Sequence, residues 1–167
     1  MALNPSLFTS SKDDWETPDD LFDQLDAEFG FDWDCASTAG NCKLAGTFLA
    51  ASYYGPDHDH PGYHNAFAVS WDCFESGWLN PPYGRGIGAW VQKAAEAVQA
   101  EDGPNVVVVL VPARPDTQWW CRWATQADEI RYIEGRLTFK GAPSAAPFPS
   151  ALLVFRRRYA TPYNYHL

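Results

Sequence analysis

The sequence predicts an α/β fold with three layers, in which helices cover both faces of a mostly parallel, twisted sheet. Residues 105–111 are continuously apolar and β-branched, which is typical of a strand buried on both faces. An amphipathic helical pattern precedes this strand, and strand-like and helix-like segments alternate along the chain. In such sheets, ligands bind beyond the carboxyl ends of the strands.

The first helix is predicted to begin at Thr17 and to end at Gly30. Thr17 is a good N-cap, Pro18 suits the first helical position, and two acidic residues follow where the helix dipole favours negative charge. Glycine is typical of the position just after a helix. The apolar positions recur at helical spacing and are Leu21, Phe22, Leu25 and Phe29.

Short elements and a second helix follow. We expect a strand over residues 31–36, an irregular polar region over 37–67, and short strands over 68–71 and 77–79. The clearest helical pattern then runs to Val98, and Gly103 and Pro104 end it. Its apolar positions are Ile87, Trp90, Val91, Ala94, Ala95 and Val98.

The last third of the chain is predicted to hold a short helix and two strands. Asp116 or Thr117 can cap the helix, and at least two of its tryptophans are expected in the core. These tryptophans are Trp119, Trp120 and Trp123. The strands are expected over residues 129–133 and 150–155, with a loop over 135–149 between them.

Length and composition indicate one globular domain, expected over residues 15–167 after a flexible lead-in over 1–14. The chain has 167 residues, of which 46% are apolar and 20% charged, and this excludes a disordered chain. No apolar run predicts a transmembrane helix, and the first residues lack the pattern of a secretory signal. The four cysteines match no zinc or redox motif and are expected to be free thiols in a reducing cytosol.

The net charge of −9 argues against a strong, non-specific grip on a phosphate backbone. The charge is uneven, because acidic residues concentrate before Asp34 and around residues 57–59, whereas most arginines lie in the second half. A local basic face on an acidic protein is therefore compatible with the sequence. The arginines at 156–158 fit a phosphate contact and a solvated strand end equally well.

Asn80, Pro81, Pro82 and Tyr83 form the motif that points most directly to a function. Consecutive prolines have a fixed φ and no N–H group, so this segment is predicted to be a stiff, extended loop after a strand. The Asn80 Oδ1 and the Pro81 carbonyl can each accept a hydrogen from an exocyclic amine. The Tyr83 ring can stack on the flat ring that carries the amine.

Other residues are expected to converge on the same place. Asp34, Asn80 and the residues at 112–114 all lie at predicted carboxyl ends of strands. Such ends meet at one edge of a parallel sheet, so these residues are expected to share one crevice.

The tetrapeptide resembles the catalytic loop of the amino-methyltransferases that use S-adenosylmethionine. In that family Asn/Asp-Pro-Pro-Tyr holds the target amine. The loop serves adenine N6, cytosine N4, glutamine side chains and guanine N2 alike, so it leaves the substrate open.

Further segments are similar to the phage-type DNA N6-adenine methyltransferases (the phage Dam family), and together they are more specific than the tetrapeptide. In the first part of the chain they are residues 15–18, 21–22, 29–32, 34–36 and Asn41. In the second part they are residues 112–114, 116–117, 119–120, 135–137 and Phe139. The resemblance extends from Trp15 to Phe155, nearly the whole chain.

The resemblance implies a Rossmann-like class I methyltransferase fold. S-adenosylmethionine would lie across the ends of the first strands, S-adenosylhomocysteine would be the product, and no metal is needed. By position, the residues that flank the methionine end of the cofactor would be Trp15, Thr17 and Pro18. Asn80 would contact both the cofactor and the target amine.

Asp34, Cys35 and Ala36 would occupy the place of the usual Gly-rich cofactor loop. No F-x-G-x-G motif stands there, and small residues are expected to permit the close approach instead. Asp34 would hold the cofactor ammonium, with a turn acid or a cap at a strand end as the alternative. The candidates for the ribose hydroxyls are Asp57, Asp59 and Asp72.

Double-stranded DNA is the partner that the resemblance implies, with the target base flipped out of the helix. Arg85, Arg114 and Arg136 are the expected DNA contacts. Recognition of the target sequence would fall to loops over 40–67 and 135–149, or to the second subunit of a homodimer. A phage or prophage protein of this kind would act in the cytoplasm of a bacterial host, away from membranes.

A metal site is not expected. His58, His60 and His64 have spacing that fits no closed zinc site, and we expect them in a polar loop.

Two other functions stay open on the sequence alone. A methyltransferase of another planar amine, such as cytosine N4, an RNA base or a protein glutamine, also fits the tetrapeptide. A non-enzymatic acidic nucleic-acid mimic is supported by the net charge of −9 and predicts no affinity for S-adenosylmethionine.

Overall fold

The α/β pattern of the sequence is present in the structure, a computed structural model that describes residues 15–37, 41–44, 66–68 and 70–158. The helices in these ranges are α1 (Asp19–Phe29), α2 (Ile87–Ala97), α3 (Gln118–Arg122) and a 3-10 turn at Ala124–Gln126. The strands are β1 (Trp33–Asp34), β2 (Ser76–Leu79), β3 (Val106–Pro112), β4 (Glu129–Tyr132) and β5 (Ser150–Arg156). None of these helices has the length and apolarity to cross a membrane.

The five strands of the described residues form one mixed sheet, in the order β1-β2-β3-β5-β4. β1 and β3 run parallel to β2, whereas β5 is antiparallel to both of its neighbours, β3 and β4. The expected parallel arrangement is present over β1, β2 and β3, whereas the two strand pairs that involve β5 are antiparallel. β5 alone is reversed, so β1, β2, β3 and β4 all point the same way. The assignment to a Rossmann-like class I methyltransferase fold stays a prediction.

Alternate side chains of β3 belong to two separate cores, which is why its sequence is continuously apolar. One set packs with α2 and α3 and consists of Val107, Val109 and Val111. The other set packs with α1 and with apolar side chains of the segment between β4 and β5, and consists of Val106, Val108 and Leu110. Helices therefore cover both faces of the sheet, and burial of β3 does not depend on the direction of its neighbours.

α1 begins one residue later than predicted. Pro18 occupies the N-cap position with φ −57° and ψ 138°, and no side chain caps the helix. Thr17 lies outside the helix, and its hydroxyl accepts a hydrogen bond from Asn80 Nδ2 at 3.0 Å. The other end agrees with the prediction, because Gly30 has a left-handed φ of 59° and donates its N–H to the Asp26 carbonyl at 2.7 Å.

β1 is shorter than the strand predicted over residues 31–36. The Asp32 carboxylate accepts the N–H groups of Glu75 at 3.0 Å and Ser76 at 2.8 Å, and the Asp32 N–H donates to the Ser76 carbonyl at 3.0 Å, so side-chain and backbone hydrogen bonds together join the two segments before β1. The strand predicted over residues 68–71 is wrong for the part that the structure describes. Residues 66–68 form a turn, and the Trp71 indole donates to the Ala66 carbonyl at 3.0 Å.

Gly77 in β2 is predicted to be intolerant of a side chain. An added Cβ would sit 2.6 Å from Cε2 of Phe74 and 3.1 Å from Sγ of Cys35. We expect Gly77→Ala to lower the free energy of unfolding by about 1–3 kcal/mol, because buried groups must shift to make room. Urea denaturation followed by circular dichroism measures this change.

Gly86→Ala is the matched control. An added Cβ at Gly86 meets no atom within 4 Å, and its φ of −83° suits any residue. The free energy of unfolding should change by less than about 0.5 kcal/mol. Equal losses in the two variants would contradict the close packing at Gly77.

Candidate functional site

β1 and β2 end side by side because they are parallel neighbours, with Asp34 opposite Trp78. The residues that follow these strands therefore lie at one edge of the sheet, where α/β folds bind ligands. A cavity of about 230 Å³ opens there. Its lining residues are Trp15, Glu16, Thr17, Asp34, Ala36, Asn41, Lys43, Trp78, Asn80, Pro81, Pro82 and Lys140.

The Asn80 amide is held in one orientation. Its Nδ2 donates to the Trp15 carbonyl at 2.5 Å and to the Thr17 hydroxyl at 3.0 Å. Its Oδ1 is buried and has no hydrogen-bond partner among the described residues. A buried acceptor without a partner costs about 1–3 kcal/mol, so this oxygen is suited to a ligand that donates a hydrogen.

Pro81 and Pro82 continue the cavity wall. Pro81 is buried and Pro82 half-buried. Neither residue has a backbone N–H group that could compete with a ligand donor for the acceptors of this loop. The fixed φ of both prolines keeps this wall stiff. The loop predicted directly after β2 is present in the structure.

Tyr83 does not line the cavity in this structure. Its hydroxyl donates to the Leu110 carbonyl at 3.2 Å, and burial raises the pKa of this phenol well above its usual value. Its ring meets Phe139 and Phe148 edge-on, with centroids 5.9 Å and 5.7 Å away. The plane of the tyrosine ring is thus fixed by one hydrogen bond and two aromatic contacts.

Asp34 is a buried carboxyl group on the cavity wall, with 6% of its surface exposed. Burial raises its pKa to about 6, although the N–H groups of Lys43 at 3.1 Å and Ala36 at 3.4 Å donate to it and favour the charged form. A carboxyl group in this setting gains from a nearby cation.

The rim of the cavity carries an ion-pair network that the sequence did not reveal. Lys43 Nζ lies 2.6 Å from Asp19 and 3.5 Å from Glu16. Lys140 Nζ lies 3.1 Å from Asp19 and 3.4 Å from Glu16. Glu16 also forms an antiparallel backbone bridge with Lys140, whose N–H donates to the Glu16 carbonyl at 2.9 Å. This contact joins distant parts of the chain and leaves no local pattern in the sequence.

Two residues predicted to bind the cofactor lie apart from the cavity. The Cys35 side chain is fully buried in the core below α2, so only its backbone can approach a ligand. Pro18 lines a neighbouring cleft with Arg136, beside the start of α1. The other predicted cofactor residues, namely Trp15, Thr17, Asp34, Ala36 and Asn80, share the cavity.

Arg85, Arg114 and Arg136 are exposed and have no ionic, hydrogen-bond or aromatic partner for their side chains among the described residues. The other described lysines and arginines each have such a partner. The three free arginines follow β2, β3 and β4 respectively. These strands point the same way, so all three arginines follow strand ends at the edge that bears the cavity.

The remaining predicted groups do not add to the cavity. Asp72 is exposed and does not line it. Asp57, Asp59 and the three histidines at 58, 60 and 64 lie outside the described residues. Within the described ranges, no three His, Cys, Asp or Glu side chains lie close enough to hold a metal ion.

Comparison with known proteins identifies the family. A family model described as DNA N-6-adenine-methyltransferase (Dam) matches residues 5–166. A similar protein is the DNA N-6-adenine-methyltransferase of Escherichia phage T1, which is 30% identical over 128 residues. The match covers 76% of this chain and 47% of the phage protein, so the chain spans about half the length of this relative. No solved structure matches the chain. The motifs, the cavity that gathers them and the family match agree: this chain belongs to the DNA N-6-adenine-methyltransferase (Dam) family.

Proposed function

We propose that this protein transfers the methyl group of S-adenosylmethionine to the N6 amine of a flipped adenine in duplex DNA. The observation that carries the proposal is the Asn80 amide, whose Nδ2 is engaged twice while its buried Oδ1 is free. Membership in the Dam family supports adenine over cytosine N4, an RNA base or a protein glutamine. An acidic nucleic-acid mimic would have no need of such a cavity.

The cavity fits S-adenosylmethionine by its chemistry. Asp34 offers a buried carboxyl group to the ammonium of the cofactor, and Ala36 leaves room for close approach to the backbone. Trp15 and Thr17 would flank the methionine end, on the same side as the Asn80 amide that they hold. When bound, the cofactor supplies an electrophilic methyl group on a sulfonium.

Asn80 and Pro81 would activate the target amine. The lone pair of N6 is delocalised into the adenine ring, so the amine is a poor nucleophile. If the Asn80 Oδ1 and the Pro81 carbonyl each accept one amine hydrogen, they favour a pyramidal nitrogen and stabilise the positive charge that develops as N6 takes the methyl group. The amine then releases one proton to solvent. The stiff proline wall contributes alignment for this in-line displacement.

Tyr83 would carry the flipped base. A base inside a duplex is out of reach of the cavity, so it must leave the stack and rest on another flat surface. The hydroxyl bond to Leu110 and the edge contacts with Phe139 and Phe148 fix the orientation of the tyrosine ring. A base stacked on that ring would therefore meet Asn80 at a defined angle.

Asn80→Ala should lower the rate of methyl transfer much more than it lowers cofactor affinity. Loss of one preorganised acceptor is expected to lower kcat by about 100-fold or more, because it acts mainly on the charge that develops in the transition state. Methyl incorporation into duplex DNA, RNA and protein measures activity and substrate class side by side, and calorimetry measures cofactor affinity. Gln99→Ala, at an exposed position after α2, is the control. Normal turnover in Asn80→Ala would overturn the proposal.

Cofactor affinity should depend on pH through Asp34. Because its pKa is raised to about 6, this carboxyl group is ionised above that pH and protonated below it. Only the ionised form pairs with an ammonium group, so Kd should rise about tenfold for each pH unit below about 6 and stay level just above it. Calorimetric titration across this range checks the prediction.

Asp34→Asn supplies the control for the pH profile. The variant should bind the cofactor weakly at every pH, because its amide has no charge to gain or lose. A wild-type slope that persists in Asp34→Asn would assign the titration to another group.

Arg85, Arg114 and Arg136 should each supply one phosphate contact. Replacing one of them by alanine is expected to weaken DNA binding and to reduce the slope of log K against log salt concentration by about 1. Fluorescence anisotropy over a salt series measures the slope. Arg158→Ala is the control, because Arg158 is also exposed but lies 3.9 Å from Asp128. An unchanged slope in all three variants would remove these arginines from the DNA interface.

A further inference from the structure

Two residues that line the same cavity each carry a buried polar atom without a partner among the described residues, and the two atoms have opposite character. Asn80 Oδ1 is an acceptor, and Trp15 Nε1 is a donor. A buried tryptophan N–H usually has a hydrogen-bond partner, and a buried donor left without one is unfavourable. In the proposed methyl transfer, Asn80 Oδ1 accepts a hydrogen bond from the target amine, but the Trp15 N–H has no assigned partner.

The Trp15 indole belongs to the part of the site that would hold the base. Its own carbonyl accepts the Asn80 amide at 2.5 Å. Its ring lies 5.1 Å from Phe139 and 5.4 Å from Phe148, centroid to centroid. Those two phenylalanines also meet Tyr83, so the indole shares one aromatic cluster with the proposed stacking ring.

We infer that the Trp15 indole N–H donates to a ring nitrogen of the flipped base, beside the amine that Asn80 holds. The inference rests on the proposed function and deepens it, because it assigns a specificity-determining residue. The acceptor and the donor together complement an edge on which an amino group stands next to a ring nitrogen. Adenine has that edge, since acceptors N1 and N7 flank its N6 amine.

On the N7 side, this pairing would also separate adenine from cytosine. The N4 amine of cytosine has the acceptor N3 on one side and a C–H group on the other. A donor directed to the N7 side of adenine would therefore face no acceptor in cytosine, and a glutamine side chain offers no ring nitrogen at all. Leaving a buried donor unpaired is a strong basis for rejecting a ligand.

The cofactor carboxylate is the other acceptor within reach of this wall. Lys43 and Lys140 line the same cavity, and although both pair with Glu16 and Asp19, their ammonium groups suit a carboxylate better than an indole N–H does. Attachment of the indole to Asn80 and to the cluster around Tyr83 favours the base, and the experiment distinguishes the two acceptors.

The test is a cycle that pairs a protein change with a single-atom change in the DNA. Wild type and Trp15→Phe are assayed on duplexes whose target base is adenine, 7-deazaadenine or 1-deazaadenine. With wild type, kcat/KM should fall about three- to tenfold for one of the two analogues, the loss typical of one hydrogen bond. Trp15→Phe should lose a similar factor on adenine and should no longer distinguish that analogue from adenine.

Controls separate this contact from a general weakening of the site. Trp119→Phe changes a half-buried tryptophan in the core on the other face of the sheet, and should keep the discrimination of wild type. Because Trp15 would also flank the methionine end of the cofactor, calorimetry measures the cofactor affinity of Trp15→Phe separately, and kcat/KM is compared at saturating cofactor. Circular dichroism should show the same fold.

Three outcomes would overturn the inference. Independent losses from Trp15→Phe and from both analogues would show that the indole and the ring nitrogens do not touch. Weaker cofactor binding in Trp15→Phe, with analogue discrimination intact, would assign the indole to the cofactor carboxylate. Absence of methyl transfer to unmodified adenine by wild type would overturn the proposed function as well, whereas the first two outcomes leave that function in place.

Discussion

The hydrogen bonds of the Asn80 side chain are the interaction on which the proposed site depends. They join the end of β2 to the segment before α1, across separations of 65 and 63 residues in sequence. An NH2 group only donates, so two acceptors on Nδ2 determine which way the amide oxygen faces. Oδ1 therefore faces away from Trp15 and Thr17. The prolines that follow have no N–H group that could donate a hydrogen bond to it. The contacts that hold one wall of the cavity together are therefore the same contacts that aim its proposed acceptor.

The charged groups around the cavity are of two kinds: those that lie in ion pairs and those without a side chain of opposite charge at hydrogen-bond distance. Glu16 and Asp19 each meet both Lys43 and Lys140, and these pairs lower the pKa of Asp19 and raise that of Lys140. Asp34 accepts the backbone N–H groups of Ala36 and Lys43, and burial nevertheless holds its pKa at about 6. Asp34 is therefore the best partner for a ligand cation. Lys43 contacts both Asp34 and the ion-pair network, because its backbone N–H donates to Asp34 and its side chain pairs with Glu16 and Asp19.

Local patterns in the sequence predicted those parts of the fold and site that depend on neighbouring residues. The spacing of apolar residues in α2, the apolar run of β3 and the stiff loop after β2 are examples, and each is present in the structure. The direction of β5, the approach of Lys140 to Glu16 and the use of Thr17 as a partner of Asn80 depend on contacts between distant segments. No local pattern records such contacts. Thr17 is an example. A hydroxyl just before a helix can cap the helix or accept a hydrogen bond from a distant amide, and the local sequence is the same in both cases.

The topology also shows how an acidic chain could present positive charge to the proposed DNA substrate. The net charge of −9 is a property of the whole sequence, whereas the phosphate backbone meets only one surface. Several described cations lie in ion pairs with carboxylates, as Arg131 does with Glu28 and Glu129. Arg85, Arg114 and Arg136 have no carboxylate partner among the described residues. Each follows a strand that ends at the edge of the sheet where the cavity lies. The segment with α3 and the 3-10 turn returns the chain from the end of β3 to the opposite edge of the sheet, so β4 runs in the direction of β2 and β3, and β5 alone is reversed. The proposed catalytic loop and the uncompensated arginines are thus products of the same strand order, and a duplex approaching that edge would meet positive charge and the Asn80 cavity together.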